Sequence, residues 1–150
     1  MTTPDLPDLL SGRPLRVLLV DDAPADRELA REAFGQQEAQ VIIDTCASGA
    51  RALHFLQQAE TVLPDVILLD LNMPGMSGLE LLAALKDTAR LNLIPVVILS
   101  SSSHAHDVEQ AYSLHASSFM TKQPEFGPFV QQIDAFVSFW LQARMTHWPS

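Results

Sequence analysis

The sequence predicts an α/β fold, a doubly wound sheet of five parallel strands with helices on both faces. Three observations carry this. Short apolar runs alternate with stretches of helical periodicity along most of the chain. The strongest runs are apolar at almost every position, as strands buried on both faces of a parallel sheet require. Each of those runs is followed by a polar residue, Asp21, Asp70 or Ser100.

The elements follow in order. Leu15 to Val20 is the first strand, leading into Asp21 and Asp22. Pro24 opens a helix to about Glu38, since its missing N–H costs nothing in a first turn. Leu29, Ala30, Ala33 and Phe34 share its inward face. Val41 to Cys46 is a weaker strand. Gly49 to Gln58 is a second helix, with Ala52, Leu53 and Leu56 inward. Val66 to Leu69 is the third strand and leads into Asp70. Ser77 and Glu80 form a capping-box pattern that starts a helix through about Ala89, with Leu79, Leu82 and Ala83 facing inward. Ile94 to Leu99 leads into Ser100. His104 to about Leu114 carries Val108, Ala111 and Tyr112, and Ser118 to Thr121 is a weak fifth strand.

The final helix starts near Gly127-Pro128 and runs to about Met145. Phe129, Ile133, Phe136 and Trp140 form its apolar stripe, widened by Val130, Val137 and Leu141. Phe139 falls off that stripe, and an aromatic-rich end runs on through Trp148. This surplus predicts an exposed apolar patch and a partner surface. Right-handed crossovers leave few topologies for such a chain, and the flavodoxin-like order 2-1-3-4-5 leads. The expected organisation is a flexible tail over 1–12, one domain over 13–145 and a short tail over 146–150.

Composition narrows the function. The 150 residues are 47% hydrophobic, enough for a full core, and carry 9 Lys+Arg against 18 Asp+Glu, a net charge of -9. That balance disfavours nucleic acid and anionic membrane surfaces as partners. The single cysteine, Cys46, reads as a small buried hydrophobe in a reducing compartment. There is no signal-peptide pattern and no apolar stretch of membrane-spanning length, so the expected location is cytoplasmic.

In a doubly wound sheet, ligands bind beyond the carboxyl ends of the strands where the strand order reverses. Strands one and three flank that point, so Asp21, Asp22 and Asp70 converge there. One aspartate after a strand is more often a helix or loop cap. Three at one switch point repel each other unless a hard cation joins them, and Mg2+ suits oxygen ligands and keeps room for phosphate. Ser100 and Lys122, at the ends of strands four and five, add a hydroxyl donor and a cation for a phosphoryl oxygen.

Four segments then carry a resemblance: Val20-Asp21-Asp22, Leu68 through Gly78 (LLDLNMPGMSG), Pro95 through Ser100 (PVVILS), and Phe119-Met120-Thr121-Lys122. In this order they resemble the motif set of response-regulator receiver domains over roughly residues 15 to 140. The resemblance implies that Asp70 is the phosphoacceptor. Asp22 and Asp70 would bind Mg2+ directly, Asp21 through water, and Asn72 through its backbone carbonyl. Lys122 would pair with the phosphoryl oxygens, Ser100 would swing toward them, and Phe119 would change rotamer with it. Gln123 stands between the lysine and Pro124, where many receivers have proline directly, so this loop departs from the family's pattern.

Tyr112-Ser113-Leu114-His115-Ala116 and the later Phe139-Trp140-Leu141 are similar to the small single-domain receivers paired with phytochrome histidine kinases. This implies a sensor histidine kinase of bacteriophytochrome type as partner. It also implies a homodimer through the face of helix four, strand five and helix five, with Tyr112, Phe139 and Trp140 in the contact. The expected function is phosphoryl acceptance on Asp70 with Mg2+, switching a protein-interaction surface. The chain would catalyse only its own phosphorylation and dephosphorylation and act on no other substrate.

Other readings fit less well. An aspartyl-nucleophile phosphatase wants a second Asp two residues after the nucleophile, where Asn72 stands. A pure interaction module would not need Asp21, Asp22, Asp70, Ser100 and Lys122 together. Flavin binding wants a Gly/Ser/Thr-rich loop after strand one, where Asp21 and Asp22 would repel the flavin phosphate. With no helix-turn-helix or basic recognition helix in the sequence, transcriptional output by this chain alone is not expected. His104, His106 and His115 lack supporting ligand spacing and read as solvated or structural. Ser102 lies where receivers tune access of hydrolytic water.

Overall fold

The computed structural model describes residues 13–37, 40–101 and 104–147. The expectations for the tail over 1–12, for Ser102 and for Trp148 lie outside the described residues. The strands are β1 (Leu15–Val20), β2 (Val41–Cys46), β3 (Val66–Leu69), β4 (Val96–Ser100) and β5 (Ser118–Thr121). The helices are α1 (Pro24–Gly35), α2 (Gly49–Gln57), α3 (Gly78–Lys86), α4 (Ala105–Ser113) and α5 (Phe126–His147).

All neighbouring strands pair parallel, in the order β2-β1-β3-β4-β5. The predicted order and element sequence are therefore the observed ones. β3, wholly apolar, and β4, apolar up to Ser100, lie inside the sheet and are buried at every position. The two weaker runs, β2 and β5, are its edges and are only partly buried. Two apolar clusters cover the two faces. On one, Leu18, Val20, Ile67 and Ile98 meet Ala52, Leu56, Leu81, Leu82 and Ala111 of α2, α3 and α4. On the other, Val17, Leu19, Leu68 and Val97 meet Ala33 and Phe34 of α1 and Phe129, Ile133 and Phe136 of α5.

Several details differ from the sequence-based expectation. α1 stops at Gly35, short of Glu38, and its last turn tightens, with Gln37 N–H bonding Phe34 O at 2.9 Å. Leu29 is exposed rather than inward, because the α1 strip facing the sheet centres on Ala30, Ala33 and Phe34. α3 ends at Lys86, before Ala89, where the Thr88 hydroxyl bonds Ala84 O and Thr88 N–H bonds Leu85 O. Its buried strip is Leu81, Leu82 and Leu85, with Leu79 and Ala83 only half-buried. β4 begins at Val96, after Pro95, which has no N–H for the ladder. α5 continues to His147, beyond Met145.

Candidate functional site

The carboxyl ends of β1 and β3 lie side by side because Val20 pairs with Leu69 and Asp70 N–H bonds Val20 O at 3.0 Å. This register brings Asp21, Asp22 and Asp70 together, with one carboxylate oxygen from each within 4.8 Å of the others. Among the described residues they form the one group of His, Cys, Asp and Glu with the geometry to hold an ion. Asp21 is 6% exposed, and its Oδ1 accepts from Ala23 N–H at 2.9 Å. Asp70 is half-buried, and its Oδ1 accepts from Asn72 N–H at 3.3 Å, which sets Asn72 beside the cluster.

The electrostatics follow from that packing. Burial pushes the Asp70 carboxyl up to about 6; the Asn72 N–H opposes this, the charges of Asp21 and Asp22 add to it, and Lys122 opposes it. Burial likewise raises the Asp21 carboxyl, against the pull of its bond from Ala23. Three hard oxygen donors held close, two of them made reluctant to ionise, fit a small divalent cation.

The loop after Asp70 is tightly defined. Gly75 has φ +73°, a conformation that favours glycine. Gly78 N–H bonds Leu71 O at 3.0 Å, and the capping box of Ser77 and Glu80 is formed from both sides. A Cβ on Gly78 would lie 2.4 Å from the Asp70 carbonyl oxygen. Only glycine lets α3 start this close to the strand end.

Ser100 closes β4 and is 1% exposed. Its carbonyl accepts from Lys122 N–H at 2.7 Å, which ties the lysine to the same sheet edge. The side chain of Lys122 is largely buried, with Nζ 3.3 Å from Asp26 Oδ1 and 5.4 Å from the Phe129 ring centroid. The loop beyond it is held by Gln132 of α5, which accepts from Gln123 N–H at 3.2 Å and donates to Thr121 O at 2.8 Å. Phe119 is half-buried against the α2–α4 side of the core, and its N–H bonds the Tyr112 hydroxyl at 3.2 Å. The sheet register thus sets Asp21, Asp22, Asp70, Ser100 and Lys122 along its carboxyl edge, with Phe119 two residues before the end of β5.

Asp26 and Gly78 were missed. Asp26 is the third residue of a helix opened by Pro24, four positions after Asp22, and that spacing was a usable signal. The histidines do not join the acid cluster: His104 and His106 are exposed, and His115, two residues beyond α4, has φ +68°. Tyr112 and Phe139 are 49% and 60% exposed, and Trp140 is half-buried with its ring 5.0 Å from that of Phe139. No helix among the described residues is long and apolar enough to cross a membrane.

Comparison with known proteins places these features. The family model of the response regulator receiver domain matches residues 17–134. Response regulator Rcp1 of Synechocystis sp. is 35% identical over 136 residues, spanning 88% of this chain and 92% of that protein. The Mn2+-bound form of Rcp1 superposes with a TM-score of 0.76 over 86% of this chain and 96% of that one, at 35% identity. The phosphorylated cyanobacterial phytochrome response regulator RcpA gives a TM-score of 0.82 at 34% identity, over 87% of this chain and 96% of that one. The bacteriophytochrome response regulator RtBRR gives 0.66 at 34% identity, over 81% and 77%.

Proposed function

The chain belongs to the response-regulator receiver family, and from that premise we propose that it accepts a phosphoryl group on Asp70 from a sensor histidine kinase of the phytochrome class. The observation that carries this reading is the convergence of Asp21, Asp22 and Asp70 at the switch point, with Ser100 and Lys122 on the next two strand ends. The likeness to RcpA and RtBRR supports the phytochrome-class kinase.

Each residue then has a role. Asp21, Asp22, Asp70 and Asn72 would hold Mg2+. Bound there, Mg2+ would supply positive charge to offset the carboxylates and the phosphoryl oxygens. An Asp70 carboxylate oxygen attacks the phosphorus of phosphohistidine. The new P–O bond forms as the P–N bond breaks, and the imidazole leaves with that electron pair. Lys122 and Ser100 take the phosphoryl oxygens as they gain charge, so most of the catalysis is electrostatic and positional. Phe119 reports the event to the surface through its contact with Tyr112. The chain acts as a phosphoacceptor signalling protein on no substrate but itself.

The switched surface is the α4–β5–α5 face. We assign it to a homodimer, supported by the exposed rings of Tyr112 and Phe139 and by a groove of about 440 Å3 lined by Val97, Met120, Gln132, Phe136, Phe139 and Trp140. Phosphotransfer profiling tests the main reading. Wild type with Mg2+ should take label rapidly from a phytochrome-class kinase and slowly from unrelated kinases. Equal, slow transfer from every kinase would overturn the partner assignment.

A further inference from the structure

Lys122 faces several carboxylates, yet its side-chain ammonium rests on Asp26 rather than on the acid cluster. Asp26 lies in the first turn of α1, where the helix dipole favours a negative charge. It is also among the charges that raise the Asp21 carboxyl, so it belongs electrically to the site. The Phe129 ring, 5.4 Å from Nζ, flanks the same resting position. A phosphoryl group on Asp70 offers this ammonium a more highly charged partner. Moving to it breaks the pair with Asp26 and leaves that carboxylate without its cation.

We propose that Asp26 is a positioning residue: it holds Lys122 at the N-terminus of α1 in the resting state and competes with the phosphoryl group for it. This rests on the assignment of Asp70 as acceptor. The chemistry is otherwise unchanged. With acetyl phosphate as donor, Asp70 forms the P–O bond while the donor's P–O bond breaks and acetate leaves with the electron pair. Asp26 touches neither atom. Its influence is on how readily the ammonium arrives and how long it stays. The same exchange loosens a contact between the site and the α1–α5 side of the molecule, opposite the face reached through Phe119.

Three variants test this in the full chain: Asp26→Asn, Asp26→Glu and Asp70→Asn. In unphosphorylated, metal-free protein, the NMR signals of the Lys122 side chain should shift in Asp26→Asn and return toward wild type in Asp26→Glu. With Mg2+ and acetyl phosphate, Asp26→Asn should be phosphorylated about two- to fivefold faster and lose the group more slowly, the range a partly exposed ion pair supplies. Asp26→Glu should restore wild-type rates. If wild type labels on Asp70 but Asp26→Asn matches it in rate, lifetime and lysine signals, the competition does not exist. If wild type takes no label that Asp70→Asn abolishes, the acceptor assignment fails, and the role of Asp26 falls with it.

Discussion

The two ends of the sheet hold opposite kinds of stored free energy. At the carboxyl end, Asp21 and Asp70 are kept in surroundings that resist their charge. At the amino end, a groove of about 780 Å3 runs between the loops before β3 and β4 and the end of α5. There Val62, Leu93 and Phe139 are 62%, 89% and 60% exposed. One end buries charge that water would welcome. The other exposes apolar surface that water does not. A divalent cation would relieve the first; apolar protein surface would relieve the second.

Substitutions at each end sharpen this contrast. The largest expected effect is at the carboxyl end, in Gly78→Ala. The added Cβ meets backbone that has no room to move, so urea denaturation should show a loss of about 3 kcal/mol, the upper range for overpacking. Next is Asp70→Asn without metal. The folded-state pKa of about 6 lies above the ordinary 3.8, so the folded protein holds this proton more tightly than the unfolded chain. Stability from this group is therefore present at low pH and is lost as pH rises through that window. Removing the charge should raise stability by about 1–2 kcal/mol at neutral pH, moderated because the site is half open to solvent. The gain should vanish below about pH 4, and Mg2+ should stabilise wild type more than the variant.

Effects at the amino end should be smaller. Arg13 pairs with Asp65 at 3.0 Å, and Asp65 also accepts from Arg16 N–H at 2.8 Å. Because the pair is partly exposed, Arg13→Ala should cost up to about 1 kcal/mol in the same denaturation assay. Phe139→Ala should change monomer stability least, within about 0.5 kcal/mol, as expected for an exposed position. Its effect belongs to association: sedimentation should show wild type as a dimer at tens of micromolar and Phe139→Ala shifted toward monomer. A wild type that is monomeric there would assign the patch to a kinase instead.

The two ends were not equally legible in the sequence. Strand interiors and the polar residues that close them were plain, because parallel strands buried on both faces tolerate few polar side chains. The carboxylate cluster followed from strand order alone. Phe139 was legible as a residue off its helical stripe, but Val62 and Leu93 were not, because an apolar loop residue carries no periodic signal. The exposure of Leu29 depends on how wide a strip α1 presents to the sheet, and helical spacing does not set that width. Asp26 looked like an ordinary first-turn acid; its contact with Lys122 spans most of the chain and exists only once β5 is docked. Gly78 sat inside a recognised motif, but its necessity comes from the approach of α3 to the Asp70 carbonyl.

Phosphorylation of Asp70 is the most direct test. Wild type incubated with Mg2+ and acetyl phosphate or a phosphorylated kinase should gain the mass of one phosphoryl group. The adduct should resist acid, fall off in base, and map to the peptide containing Asp70. Asp70→Asn should gain nothing under the same conditions. Equal labelling of wild type and Asp70→Asn, or a base-stable adduct on another peptide, would contradict the assignment.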